Sequence, residues 1–412
     1  MKSLLISCVL LSITTLGFAQ RSCGSTEYAR RMNYNVFSNQ DNLGQTSQTA
    51  RDTFANEIIT IPVVIHVLYN NSTQNISDAQ VMSQLRVLNE DFRRLNADAS
   101  QTPEAFKSSA ADCRIMFCLA QVNPRGAAQK GIVRKFTNRT SFSVDDDMKF
   151  SAAGGDDAWD TKKYLNIWVC NMQSNSIGYA TPPNSEAVRD GVVIQYDCFG
   201  TVGTVRYPFN KGRTATHEIA HWMGISHIWG DNSCGSDGID DTPRQSNYNS
   251  NCPSFPKLSS CSPNANGDMF MNFMDYTNDA CMNMFTNGQK QRMRNVFSGT
   301  GYRNSFLKSY ACDSSLATAA PSVTEPVKQE KPLPSVVIYP NPVQEQMQLM
   351  PVNGYDLKGK TVSIYTPSGV LMSTRILNAS TNKIDVSTLK QGIYVLKIGD
   401  NNDRQVLKLI KN

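Results

Sequence analysis

Histidine is scarce in this sequence, with four residues in 412. Several other features are missing altogether. No block of lysine or arginine occurs, so the formal charge of +5 gives no reason to expect nucleic acid or a lipid surface as a partner. No apolar run beyond the first twenty residues reaches the length of a bilayer crossing, which excludes an internal transmembrane helix. No internal repeat is found, which argues against solenoid and propeller architectures. A hydrophobic content of 40% with 18% charged residues is that of an ordinary globular protein, long enough for two domains and extras.

The first segment, MKSLLISCVLLSITTLGFAQ, combines Lys2, an apolar run from Leu4 to Phe18 and a small-x-small site at Gly17-Phe18-Ala19. It reads as a cleaved export signal over 1–19. Export permits disulfides, and ten cysteines remain after cleavage, at 23, 113, 118, 170, 198, 234, 252, 261, 281 and 312. Residues 20–50 are polar and too short to build a core, below the limit of roughly 40 residues, so they must lie on something else or stay loose. From Glu57 the run IITIPVVIHVLY has the β-branched character of a strand covered on both faces. Ser77 to Gln80 reads as a capping box, and Val81, Leu85, Leu88, Phe92 and Leu95 follow at helical spacing for about five turns. RIMFCLAQV, YLNIWV and GVVIQY read as further strands, giving an α+β domain over 51–312. The stretch 235–280 is rich in turn residues and cysteine and is expected to be loops. A proline-bearing linker spans 313–335, and alternating segments over 336–412 predict a small all-β sandwich.

Three of the four histidines lie within HEIAHWMGISH, residues 217–227. On a helix His217 and His221 share one face, with Glu218 about 100° round from His217. His227 would lie about 9 Å further along and on the wrong side if the helix continued. The chain must therefore reverse, and Gly224, tolerant of positive φ, is where it can. Three neutral imidazoles and an open position make a catalytic zinc site.

HExxHxxGxxH is the signature of the metzincin clan. With IPVVIHV, LNEDFRRLNAD, YLNIWVCN, SIGYATPP, HIWGD, DTPRQ and MDYTNDACMNMFTNGQKQRM, the chain resembles the pappalysin family over 55–312. The resemblance implies a twisted five-stranded sheet, a backing helix and an active-site helix over a loop-rich lower half. It also implies a secreted zinc endopeptidase. Glu218 would be the general base, Met274 the turn methionine and Tyr276 an oxyanion donor. Substrate would pair with an edge strand at Ser176, Ile177, Gly178, Tyr179 and Ala180. Structural calcium would be held by Asp237, Asp240, Asp241 and Thr242 in SDGIDDTP. Of the three connectivities open to four cysteines, the family implies Cys234–Cys261 and Cys252–Cys281. Cys113, Cys118, Cys170 and Cys198 read as buried free thiols, and Cys312 has no assignment.

Relatives with a segment similar to RSCGSTEYAR hold a latent proenzyme by a thiolate on zinc, which gives Cys23 that role; an ordinary disulfide is the alternative. Activation would then cut near Ala50-Arg51. Some relatives prefer a basic residue after the scissile bond, for which Asp279 is a candidate partner. His66, in an apolar strand, reads as a satisfied core imidazole. The tail, with IYPNP, SIYTPSG and IDVSTLKQGIYVLKI, resembles the sorting domain of type IX secretion substrates, which implies release outside the cell or surface attachment. A monomer is expected. The competing class is a non-catalytic surface-binding protein on the same scaffold; a hydrolase of non-peptide amides is a third.

Overall fold

The computed structural model describes residues 21–34, 57–308 apart from 174–175, 263–265 and 300, and 335–412 apart from 340, 353–355, 368, 379–382 and 400–404. The expected export signal, the Ala50-Arg51 cut, most of the linker and Cys312 lie outside the described residues. The chain divides into two compact units, Met1–Pro321 and Ser322–Asn412. No helix among the described residues is long and apolar enough to cross a membrane.

In the first unit, α1 (Ser25–Arg31) precedes β1 (Ile59–Tyr69), α2 (Asp78–Phe92), β2 (Ile115–Leu119), β3 (Ile132–Phe136), β4 (Leu165–Cys170), β5 (Gly178–Ala180), β6 (Val192–Gln195), α3 (Arg213–Trp222) and α4 (Asn287–Asn295). The sheet runs β2-β1-β4-β6-β5, with β3 pairing the far end of β1 beyond Ile65. Only β5 is antiparallel, and it ends that path as an edge strand. β1 alternates its side chains between two cores, as a strand covered on both sides must. Ile61, Val63, Ile65 and Val67 face the core that holds α2 and α3, while Leu68 faces a second cluster with Trp168, Tyr179 and Tyr28 of α1. His66 is satisfied: its Nδ1 is 2.7 Å from Asp156 Oδ2, its Nε2 is 3.0 Å from Asn166 Oδ1, and its ring stacks on Trp168.

The backing helix departs from its sequence reading at both ends. The Ser77 hydroxyl accepts from Gln80 N, but the Gln80 side chain does not complete the box. It donates instead to Phe199 O and accepts from Thr204 N, fastening the helix to the 196–204 loop. A true capping box sits on α4, between Thr286 and Gln289. At the other end Arg94 turns left-handed (φ 50°), so α2 stops at Phe92 and Leu95 lies outside it, 41% exposed.

From 223 to 286 the described residues contain neither strand nor α-helix, and the bridges Cys234–Cys261 and Cys252–Cys281 span this stretch. Cys113, Cys170 and Cys198 are buried free thiols. Cys118 corrects the sequence reading: it is disulfide-bonded and not a free thiol. An apolar strand position says that a sulfur is buried, not whether a second cysteine reaches it from far along the chain.

The second unit holds β7 (Ser335–Tyr339), β8 (Gln346–Val352), β9 (Thr361–Tyr365), β10 (Leu371–Ile376), β11 (Lys383–Asp385), β12 (Gly392–Ile398) and β13 (Gln405–Lys411). They form two antiparallel sheets, β10-β9-β12-β13 and β11-β8-β7, around one core that includes Val336, Leu349, Ile364, Leu396 and Leu409.

Candidate active site

α3 presents His217, Glu218 and His221, all buried, and then ends in a double hydrogen-bonded reversal. Gly224, at φ 84°, donates from its N–H to His221 O (2.8 Å), and Ile225 N reaches back to Ala220 O (3.0 Å). This is the Schellman arrangement, which needs the left-handed conformation at that glycine. The reversal does a second job, because the Ile225 carbonyl it positions lies 2.6 Å from His221 Nδ1. His227 arrives from the returning chain.

The three Nε2 atoms converge: His217–His221 3.1 Å, His221–His227 3.1 Å and His217–His227 3.3 Å. Each Nδ1 faces an acceptor, Phe273 O at 2.7 Å, Ile225 O at 2.6 Å and Asp231 Oδ1 at 2.6 Å. The protons therefore sit on Nδ1, and three lone pairs point at one another. That repulsive arrangement is reasonable only around a cation. A tetrahedral zinc with Zn–N of about 2.0–2.1 Å sets its nitrogens about 3.3–3.4 Å apart, close to what is seen. Burial, and after it the neighbouring imidazoles, push His217 well below the ordinary histidine value; burial and His227 push His221 down to about 3. These two rings are held neutral, the form a metal needs.

Cys23 completes the group: its sulfur and the three ring nitrogens all lie within 4.8 Å of one another, the one such cluster among the described residues. Its thiol is pushed well up by burial and then by Glu218. A divalent cation at the site reverses that preference in favour of the thiolate. The donor set, three imidazoles and one sulfur, fits zinc.

Around the cluster, Glu218 Oε2 accepts from the Ser25 hydroxyl (2.9 Å) and lies 3.3 Å from Cys23 Sγ; burial raises its carboxyl to about 7. Tyr276 packs against His227 and Trp229 with its hydroxyl 3.3 Å from Cys23 N, and burial keeps it a phenol. Met274 is fully buried, and the preceding carbonyl, Phe273 O, is the one that orients His217.

Residues 176–180 lie along the rim as the edge strand and its approach, already paired. Ile177 N donates to Ser22 O and Gly24 N to Gly178 O, both at 2.9 Å, and Ala180 N donates to the Ser25 hydroxyl. Asp279 is buried; its Oδ2 accepts from Lys211 N (2.8 Å), and its Oδ1 bonds the Arg21 guanidinium. The acidic turn is less convergent. Thr242 donates to Asp237 Oδ1 (2.8 Å), Asp240 is exposed, and Asp241 accepts from Thr286 Oγ1 (2.6 Å) and Gly288 N (2.8 Å) at the start of α4. Asp237 Oδ2 is buried without a partner.

Sequence reasoning missed Asp231, Ser25 and Arg21. Asp231 stands four residues after His227, a spacing that could have suggested an orienting carboxylate. Arg21 and Ser25 act across some 190 residues or more of sequence, which no local pattern shows.

Residues 151–298 match the family described as pregnancy-associated plasma protein-A, and residues 337–412 match the secretion system C-terminal sorting domain. An extracellular metalloprotease of Arthroderma otae is 30% identical over 247 residues, 57% of this chain and 76% of that protein. One from Arthroderma gypseum is 29% identical over 287 residues, 67% and 83% of the two. Among solved structures, Tannerella forsythia mature mirolysin in complex with a cleaved peptide is 52% identical with a TM-score of 0.60, over 61% of this chain and 96% of that one. A promirolysin mutant of the same organism is 48% identical with a TM-score of 0.65, over 69% and 97%.

Proposed function

The chain belongs to the pappalysin family of zinc metallopeptidases, and on that premise we propose how its own residues carry the reaction and hold it latent. It is a secreted zinc metalloendopeptidase, made as a zymogen, that acts on peptide bonds and carries a C-terminal sorting domain. His217, His221 and His227 hold the zinc, and the single observation that carries this is the convergence of their Nε2 atoms at 3.1–3.3 Å with every Nδ1 already spent. Zinc bound there supplies Lewis-acid polarisation of a peptide carbonyl and acidifies a water to near neutral pH.

Glu218 takes the proton of the attacking water and returns it to the leaving amine; its raised carboxyl is matched to both tasks. Tyr276, kept a phenol, donates to the oxyanion from beside His227. Gly178 O and Ala180 N are the edge groups a substrate backbone would use, and in the latent form Gly24 and Ser25 occupy them. Asp279 forms the floor of a pocket for a basic side chain after the scissile bond, and Arg21 fills it in the proenzyme. Cys23 closes the metal's fourth position, so residues 20–50 act as the propeptide, 51–312 as the catalytic domain and 336–412 as a type IX export signal, with activation near Ala50-Arg51. Calcium belongs at the acidic turn, where the unpartnered Asp237 Oδ2 is the donor to engage and burial holds its carboxyl up at about 6, with Thr242 on its other oxygen and Asp240 exposed in the same turn. Asp241 is spent on α4.

The test is degradation of a denatured protein by the processed enzyme. Cleavage should stop with a zinc chelator, return with zinc, and be at least about a thousandfold slower in Glu218→Ala with one zinc still bound per chain. Wild-type rates in Glu218→Ala would reject the mechanism. A wild-type protein that binds zinc and folds yet cleaves nothing would favour the surface-binding reading.

A further inference from the structure

The segment ahead of the catalytic unit grips it at a second place, away from the metal. After pairing with the edge of β5, residues 25–31 form α1, and the chain passes to the opposite face of the sheet. There Tyr28 is fully buried, in the cluster with Trp168 and Tyr179 rather than with the active-site helix. Its hydroxyl donates to Asp146 Oδ2 at 2.7 Å.

Asp146 is itself a built receptor. It is fully buried, adopts φ 70°, and also accepts from the Tyr179 hydroxyl (2.9 Å), Lys149 Nζ (2.7 Å) and Arg189 Nη1 (3.0 Å). Lys149 is equally buried. Its ammonium lies 5.3 Å from the centre of the Tyr28 ring and 4.9 Å from that of Tyr179, and donates to Arg189 O. The pocket thus offers an acceptor where a phenol hydroxyl ends, a cation against the ring face, and an aromatic neighbour 5.1 Å away. Two cations already balance the carboxylate, so what the site takes is a neutral aromatic donor. Burial, with Asp146 next to it, pushes the Tyr28 hydroxyl up and so keeps it protonated, while Lys149 and the phenols outweigh burial to hold Asp146 ionised. No step of the peptide hydrolysis uses any of these groups.

We propose that Asp146, Lys149, Tyr179 and Arg189 form a phenol-binding pocket whose ligand in the proenzyme is Tyr28, and that this pocket keeps residues 21–34 seated independently of Cys23. Among the described residues, the anchors Arg21, Cys23, Ser25 and Tyr28 all lie before residue 35. A cut near Ala50-Arg51 breaks none of them. Cutting and release are therefore separate events, and the nicked segment remains a bound inhibitor until it dissociates or is itself cleaved.

The inference rests on the reading of residues 20–50 as an inhibitory propeptide, and its test separates the two. A synthetic peptide of residues 21–34 is added to the enzyme obtained by activating the full chain with its zinc, and inhibition of a short fluorogenic peptide is measured. The peptide carrying Cys23→Ser should still inhibit, and adding Tyr28→Phe to it should raise the inhibition constant by at least about tenfold, as expected for a lost bond to a buried charge. In the full-length Cys23→Ser proenzyme, Tyr28→Phe should likewise raise the basal activity, without any change to the catalytic unit that could impair its folding. Equal inhibition with tyrosine or phenylalanine at position 28, or no inhibition once Cys23 is replaced, would overturn the pocket. If the wild-type peptide does not inhibit an active enzyme, the propeptide reading fails as well.

Discussion

Each histidine of the proposed metal cluster is aimed by a partner on its other nitrogen. Two of these are backbone carbonyls, and behind His227 stand the Asp231 carboxylate and, at 3.5 Å, the Thr26 hydroxyl. Phe273 and Ile225 offer backbone carbonyls, which no substitution removes; Asp231 offers a carboxylate 2.6 Å from His227 Nδ1, held ionised by His227 against the cost of its burial. Loss of such an orienting carboxylate typically weakens metal affinity about 10–100-fold. Asp231→Ala is expected to weaken zinc binding by that factor in a competitive chelator titration, while Asp231→Asn, which still accepts from Nδ1, recovers part of it. Unchanged affinity in Asp231→Ala would mean that the stacked Trp229 ring, 4.4 Å from His227, orients the imidazole by itself. The legibility of the site follows the same division. His217, Glu218, His221, Gly224 and His227 are a local pattern with one sensible geometry, whereas the acceptors behind them are backbone atoms or residues whose nearness depends on the reversal at Gly224. The same limit hid Cys118, a bonded sulfur in an otherwise apolar strand.

At the scale of elements, β5 and α3 touch so closely that a glycine is required. A Cβ on Gly178 would come within 2.8 Å of Glu218 Cγ and 3.1 Å of Val193 O. The carbonyl belongs to the ladder between β5 and β6 and cannot yield, so the Glu218 side chain must. Gly178→Ala is expected to lower kcat at least about tenfold through a displaced carboxylate, since misplacements of about 1 Å can cost a hundredfold, with zinc content and Tm close to wild type. A variant that turned over normally would show that Glu218 moves freely in the mature enzyme. The family resemblance locates this edge strand, whereas α2 and the main strands are legible from their long apolar periods. Those periods misjudge the ends of α2, where Gln80 bonds a loop more than a hundred residues away and a left-handed Arg94 closes the helix without glycine or proline to announce it.

For the whole molecule, the two halves of the first unit are stabilised by different means, and the proposed active site draws residues from both. The upper half is a sheet with cores on both faces; the stretch from 223 to 286 supplies His227, Asp231, Met274 and Tyr276 without regular structure. Its order depends on burial of residues such as Phe273 and Met274 and on two bridges closing spans of 27 and 29 residues. Loops of that length contribute about 3–4 kcal/mol each in the chain-entropy model. Replacing Cys252 and Cys281 together by serine should therefore loosen the lower half first. On heating, zinc release and loss of activity are expected to fall well below the temperature at which the sheet loses its far-ultraviolet signal, whereas in the wild type these changes coincide. The second unit has its own core, so its transition should not move. If the double variant still lost metal and sheet in one step, the bridges would be incidental and the buried side chains of the lower half would be what holds His227 and Tyr276 in register with α3.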